Sequence, residues 1–178
     1  MTVHSGSGKT AAFLIPTLSK LMGKAKKLAA PRPNPATFRE GVDRPVRAEP
    51  LLLVVCPSRE LATQIFDEAR RFCYRSMLRP CVLYGGGPVV EQMNQLQKGC
   101  DVLIATPGRL CDFIDRPHVL SLHRLKFTII DEADEMLNSD WETEFKKIMS
   151  GGGEKPCSLP LAEKTNFKQI RKRATSPT

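Results

Sequence analysis

Phe127-Thr128-Ile129-Ile130 runs directly into Asp131-Glu132-Ala133-Asp134, and this junction constrains the fold more than any other stretch. Four apolar, β-branched or aromatic residues read as a strand of a parallel sheet, buried on both faces. Three carboxylates within four positions cannot continue through that interior, because burying a charge without a partner is too costly. The acids therefore belong where the strand emerges at its carboxyl end, the edge at which open α/β sheets bind ligands. Clustered acids repel one another unless a cation neutralises them, and hard oxygen donors suit Mg²⁺ bridging nucleotide phosphates. A strand end carrying only solvated acids accounts for the same residues.

A second element lies near the start. Ser5-Gly6-Ser7-Gly8-Lys9-Thr10 opens an apolar run, Ala11-Ala12-Phe13-Leu14-Ile15, with helical character. Glycines let backbone N–H groups close around phosphate oxygens, and a helix start adds partial positive charge. In such a loop Lys9 reaches the β/γ-phosphates and the Thr10 hydroxyl ligates Mg²⁺. Val3 stands where the strict pattern has glycine, and a flexible linker in front of a helix is the alternative.

Between these two lie Pro57-Ser58-Arg59-Glu60-Leu61-Ala62, Gly85-Gly86-Gly87 and Thr106-Pro107-Gly108-Arg109, each after a short apolar run. Ser58 is placed as a helix N-cap, and Thr106 as another with Pro107 in the first turn. Local physics asks no more of these residues than a capped helix start or a turn. Taken in order and spacing, however, the set from Ser5 to Met149 resembles the first of the two RecA-like domains of the DEAD-box RNA helicases, closest to the Vasa-like subgroup. The fold implied is α/β: a RecA-like P-loop domain, mostly parallel, with helices on both faces.

The resemblance implies ATP as substrate and Mg²⁺ as cofactor. Ser5, Gly6, Ser7, Gly8, Lys9 and Thr10 would hold phosphates, with Asp131 and Asp134 completing the nucleotide site. Thr10 and Asp131 would bind the metal. Lys9 and Glu132 would be catalytic, with Glu132 orienting and activating the attacking water. RNA would be held by its sugar-phosphate backbone, without base readout, through Pro57, Ser58, Arg59, Glu60, Gly85, Gly86, Thr106, Pro107, Gly108 and Arg109. The family supplies its arginine fingers from a second domain, which this chain lacks, as it lacks the family's upstream glutamine motif and Ser-Ala-Thr strand. The expectation is a domain truncated at both ends, marginal in stability, with negligible ATPase and no unwinding by itself. A non-catalytic RNA- or partner-binding fragment is the competing reading.

Charge and composition fit that frame. The chain has 178 residues, 41% hydrophobic, with a net charge of +8. Residues 24–50 and 151–178 carry +4 each, so the excess rides on two polar segments and the remainder is neutral. Residues 1–150 read as the partial domain, 24–50 as a Pro-rich basic surface insertion, and 151–178 as a disordered basic tail. A basic segment adds salt-sensitive nucleic-acid affinity or is simply solvated. No apolar run reaches the roughly 18 residues of a membrane span, and the N-terminus has no secretory pattern, so the expected location is cytoplasmic or nuclear. Six cysteines without C-x-x-C spacing are expected as buried, reduced thiols.

Overall fold

The computed structural model describes residues 8–23, 37, 46–138 and 141–150. The tail 151–178, most of the 24–50 insertion, and Ser5, Gly6 and Ser7 lie outside the described residues. Four strands, β1 (Leu52–Val55), β2 (Pro80–Leu83), β3 (Val102–Ala105) and β4 (Phe127–Ile130), form one parallel sheet in the order β2-β3-β1-β4. Among the described residues six helices accompany them: α1 (Lys9–Met22), α2 (Arg59–Phe72), α3 (Val89–Gln97), α4 (Pro107–Ile114), α5 (Ala133–Asn138) and α6 (Glu142–Met149).

Strand periodicity sorts the side chains into two cores. Leu53, Val55, Leu83, Leu103 and Ala105 face one way and pack with Leu96 of α3, Leu110 and Phe113 of α4, and Ile148 of α6. Leu52, Val54, Val102 and Ile104 face the other way, against Leu14, Leu18 and Leu21 of α1 and Ala62, Ile65 and Ala69 of α2. Covering both faces is what permits β1 and β3 to be apolar at every position, since neither face meets water. The expected layering, helices on both faces of a parallel sheet, is what the chain adopts.

Three details differ from the sequence expectation. Each residue of β4 is half-exposed rather than buried, because β4 ends the sheet and no described strand pairs with its outer edge. Helix α2 stops at Phe72, not near Arg75, and the chain turns there with Arg75 at φ 58°. Residues 46–50, expected as the end of a surface insertion, belong to the body. Ala48 is fully buried and bridges Leu120 in parallel, with Ala48 N–H on Val119 C=O at 2.8 Å and Ser121 N–H on Ala48 C=O at 2.9 Å. Glu49 then collects Arg47 at 2.8 Å, Arg124 at 3.6 Å and His123 at 3.8 Å.

One buried acid organises the opposite, amino-terminal edge. Asp101 is 1% exposed, and its Oδ2 accepts the Arg79 backbone N–H at 2.7 Å. Its carbonyl accepts the N–H groups of Leu51 at 2.8 Å and Leu52 at 3.0 Å. The entries to β1, β2 and β3 are thus tied through one residue, with the carboxylate on a backbone donor. β3, like β1, is an interior strand covered on both faces. Leu103→Ala, at a fully buried position, is expected to lower unfolding free energy by about 2–5 kcal/mol in urea titration.

Candidate functional site

The four strands end level with one another: Val55 is in register with Ala105 and with Ile130, and Leu83 with Ala105. Their exits therefore share one edge. The ladder continues one residue further, with Cys56 N–H on Ala105 C=O (3.1 Å), Thr106 N–H on Leu83 C=O (2.9 Å) and Asp131 N–H on Val55 C=O (2.9 Å). Beyond that point polar residues begin in every connection. Along the sheet these are the glycine turn after β2, Thr106–Arg109 after β3, Pro57–Glu60 after β1, and Asp131–Asp134 after β4.

Ser58 caps α2 as its position suggests, its hydroxyl accepting the Leu61 N–H at 3.3 Å. Arg59 and Glu60 are exposed in the first turn, and Pro57 is half-buried. Thr106 stands at the N-cap position of α4 with Pro107 behind it, but its hydroxyl makes no cap bond. Instead Thr106 Oγ1 accepts the Gly85 N–H at 3.3 Å, joining the β3 exit to the glycine turn. Gly108 is exposed, and a Cβ there would meet nothing within 4 Å. The start of α1 carries Gly8 at the N-cap position in the left-handed region (φ 68°, ψ 8°), and glycine has no side chain with which to cap the helix. Lys9 is exposed and Thr10 half-exposed at this end.

The glycine turn is held more tightly than the sequence suggests. Tyr84 N–H donates to Gln92 Oε1 at 3.2 Å, and Gln92 Nε2 donates back to Tyr84 C=O at 3.1 Å. Gln92 lies in the first turn of α3 and is buried. The Arg59 guanidinium stacks over the Tyr84 ring, 4.6 Å from its centroid. Arg109 Nη1 donates to Gly87 C=O at 3.2 Å, and its Nε lies 3.6 Å from Asp112, leaving its side chain 10% exposed. Arg109 is thus turned onto the glycine turn, not outward. Two residues of this cluster, Tyr84 and Gln92, were not singled out from sequence. The available signal was a glutamine on the inner face of a short amphipathic helix, directly after a Tyr-Gly-Gly-Gly run.

At the β4 exit, Asp131 Oδ1 accepts the Glu132 N–H at 3.1 Å, and Glu132 is held at φ 51°, which a non-glycine residue rarely adopts. The Glu132 carboxyl is raised above the usual carboxylate range by partial desolvation and by the crowding of Glu135, Asp131 and Asp134. Glu132 and Asp134 are exposed and Asp131 half-exposed. These acids press on their neighbour: burial, then Asp131 and Glu132, push the Cys56 thiol up from 9.0 to about 12. Cys56, Cys73, Cys81, Cys100 and Cys111 are all free and buried. Two open depressions, of about 740 and 560 Å³, run along α2, and neither is lined by Lys9 or by the acids. No helix among the described residues is long and apolar enough to cross a membrane.

Two outcomes follow from this electrostatics. The native Cys56 thiol keeps its proton up to about pH 12 while the unfolded thiol loses it near 9.0. The native state therefore binds the extra proton between those values, and stability falls as pH rises through the interval. At pH 8 its thiolate fraction is about 1,000-fold below that of an unfolded cysteine, so iodoacetamide labelling read by peptide mass is expected only after urea is added. Glu132→Gln removes a charge that the fold disfavours. It should raise the thermal midpoint slightly at neutral pH, and the gain should vanish as pH falls through the raised Glu132 pKa.

Comparison with known proteins gives this edge a lineage. Residues 1–160 match the profile of the DEAD/DEAH box helicase family. The yeast DEAD-box splicing factor Prp28 superposes with a TM-score of 0.62 at 29% identity, over 84% of this chain and 31% of that one. A hypothetical ATP-dependent RNA helicase from Sulfolobus tokodaii superposes with a TM-score of 0.64 at 26% identity, over 98% of this chain and 44% of that one. The chain thus spans less than half the length of either structure, and its parallel sheet and helices have the RecA-like fold. The chain belongs to the DEAD/DEAH box helicase family.

Proposed function

We propose that this chain forms the first RecA-like half of an ATP-dependent RNA helicase, binding Mg²⁺-ATP and the sugar-phosphate backbone of RNA at its carboxyl edge. The observation that carries this reading is the level ending of four strands, which sets the Pro57–Glu60, Gly85–Gly87, Thr106–Arg109 and Asp131–Asp134 connections side by side. On this edge backbone N–H groups, helix starts and Arg59 are the donors, which suits phosphate oxygens and carries no sequence information. The segment 46–50, docked on Leu120, ends the insertion that supports assignment to the Vasa-like subgroup.

For the nucleotide, the donor set fits a hard cation: the Thr10 hydroxyl and the Asp131 carboxylate are oxygen ligands, and the acids at the β4 exit repel one another without one. When bound, Mg²⁺ neutralises charge on the phosphate oxygens. By the family resemblance Ser5, Gly6, Ser7 and Gly8 would hold the phosphates, and Lys9 would lend a positive charge to the β/γ-phosphates. Glu132, with its raised carboxyl, would orient a water and accept its proton. Asp134 would complete the nucleotide site. Ser58 and Glu60 fix the start of α2, Pro57, Pro107 and Gly108 would keep the backbone close to the ligand, and Thr106 on Gly85 and Arg109 on Gly87 brace the turn that presents Gly85 and Gly86 to the RNA strand. Catalysis of this class is mostly positioning and charge stabilisation.

Two measurements test the reading on the 178-residue chain. Titration with a fluorescent ATP analogue in Mg²⁺ should show saturable binding that Lys9→Ala abolishes. Binding of labelled single-stranded RNA should weaken with salt, and Arg59→Ala should reduce both the affinity and the salt slope, the latter by about one. RNA binding without nucleotide affinity would replace this reading by that of a non-catalytic RNA-binding fragment. Absence of both would remove it.

A further inference from the structure

Three glycines follow β2, and the structure requires two of them, Gly86 and Gly87, to be glycine. Gly85 has open space around it, Gly86 is held at φ +75°, and Gly87 is packed. A Cβ on Gly87 would lie 2.7 Å from the Tyr84 ring and 2.8 Å from Gln92 Nε2. A Cβ on Gly86 would lie 3.9 Å from Arg59 Nη1. The turn is therefore folded around Tyr84 and Gln92, and Arg59 closes over it.

Gln92 is unusual among the polar residues here, being 7% exposed with both ends of its carboxamide on the backbone of one residue, Tyr84. In that position it completes the β2 exit as a neighbouring strand would, satisfying the N–H and C=O that the ladder leaves off at Leu83. With its backbone pinned at both groups, the Tyr84 ring becomes a fixed shelf for the Arg59 guanidinium. We infer that Gln92 is a positioning residue for RNA: by fixing Tyr84 it holds the glycine turn and the Arg59 side chain in one rigid surface, coupling the connections after β1 and β2 without touching the ligand itself. The inference rests on the RNA-binding reading above.

The coupling has a measurable form. Gln92→Met keeps the length of the side chain and loses both hydrogen bonds. It is expected to raise the dissociation constant for labelled single-stranded RNA about fivefold or more, and Tyr84→Leu to do the same. Tyr84→Phe keeps the shelf and should bind as wild type does. The Gln92→Met/Tyr84→Leu double variant should be no weaker than the weaker single one, because both disable the same device. By hydrogen exchange, the Tyr84–Gly87 amides should lose protection in Gln92→Met while those of β3 keep it, with nucleotide affinity unchanged.

A second variant guards against misfolding. Gln92→Glu can accept from the Tyr84 N–H, but as a carboxylate it repels the Tyr84 carbonyl. Protonation restores a donor, so its RNA affinity relative to wild type should recover as pH is lowered; Arg59, Arg109 and Asp112 are the charged groups beside the turn. RNA affinity at the wild-type level in Gln92→Met, with Arg59→Ala still losing affinity, would overturn the inference alone. Loss of β3 protection or nucleotide affinity in Gln92→Met would mark Gln92 as a general core residue and overturn it too. A wild-type chain without RNA affinity removes both the reading and the inference.

Discussion

The exclusion of uncompensated charge from a sheet covered on both faces decides where everything else in this protein goes. Leu52–Val55 and Val102–Ala105 are buried at every position, so neither strand has room for a functional polar side chain. Function is displaced to where the strands stop, and because they stop in register it is displaced to one line. Asp101 shows the same rule at the opposite edge. It is buried, but its Oδ2 is held by a backbone donor and its carbonyl feeds the β1 entry. That acid organises structure, whereas those after Ile130 stay crowded and partly solvated.

Along that line the connections have different characters. The β4 exit is electrostatically tense, with Glu132 at positive φ and its carboxyl raised by desolvation and then by its acidic neighbours. The α1 start differs from it, a helix opening with Gly8 in the left-handed region and a lysine behind it. The β2 exit is organised by hydrogen bonds: Gln92 holds Tyr84, Thr106 holds Gly85 and Arg109 holds Gly87, with Arg59 stacked over the Tyr84 ring.

Much of this was legible in advance. Four apolar runs, each closed by Pro, Gly, Thr-Pro or an acid, predict four strands with polar exits, and the strands are found within a residue or two of those runs. The Ser58 cap follows from residue type alone. Thr106 does not: its spacing before Pro107 predicts a cap, yet its hydroxyl is taken by Gly85, twenty-one residues away in sequence, because β2 and β3 are neighbours. Arg109, expected among the RNA-backbone residues, is turned inward onto Gly87 by the same adjacency. Ala48 escaped notice because a single buried alanine within a Pro/Arg-rich stretch leaves no periodic trace.

What the sequence determined by itself was the strands, their parallel character and the chemistry of their exits. These depend on local hydrophobic runs and on charges that cannot be buried. Strand order was decided only in three dimensions, and with it which exit touches which. The β2-β3-β1-β4 arrangement brings Arg59 to Tyr84, Thr106 to Gly85 and Arg109 to Gly87. It also leaves β4, apolar enough to read as a central strand, half-exposed at the end of the described sheet. The physical reason is that periodicity reports how much of a strand is apolar, whereas the identity of its neighbours is a property of the assembled sheet.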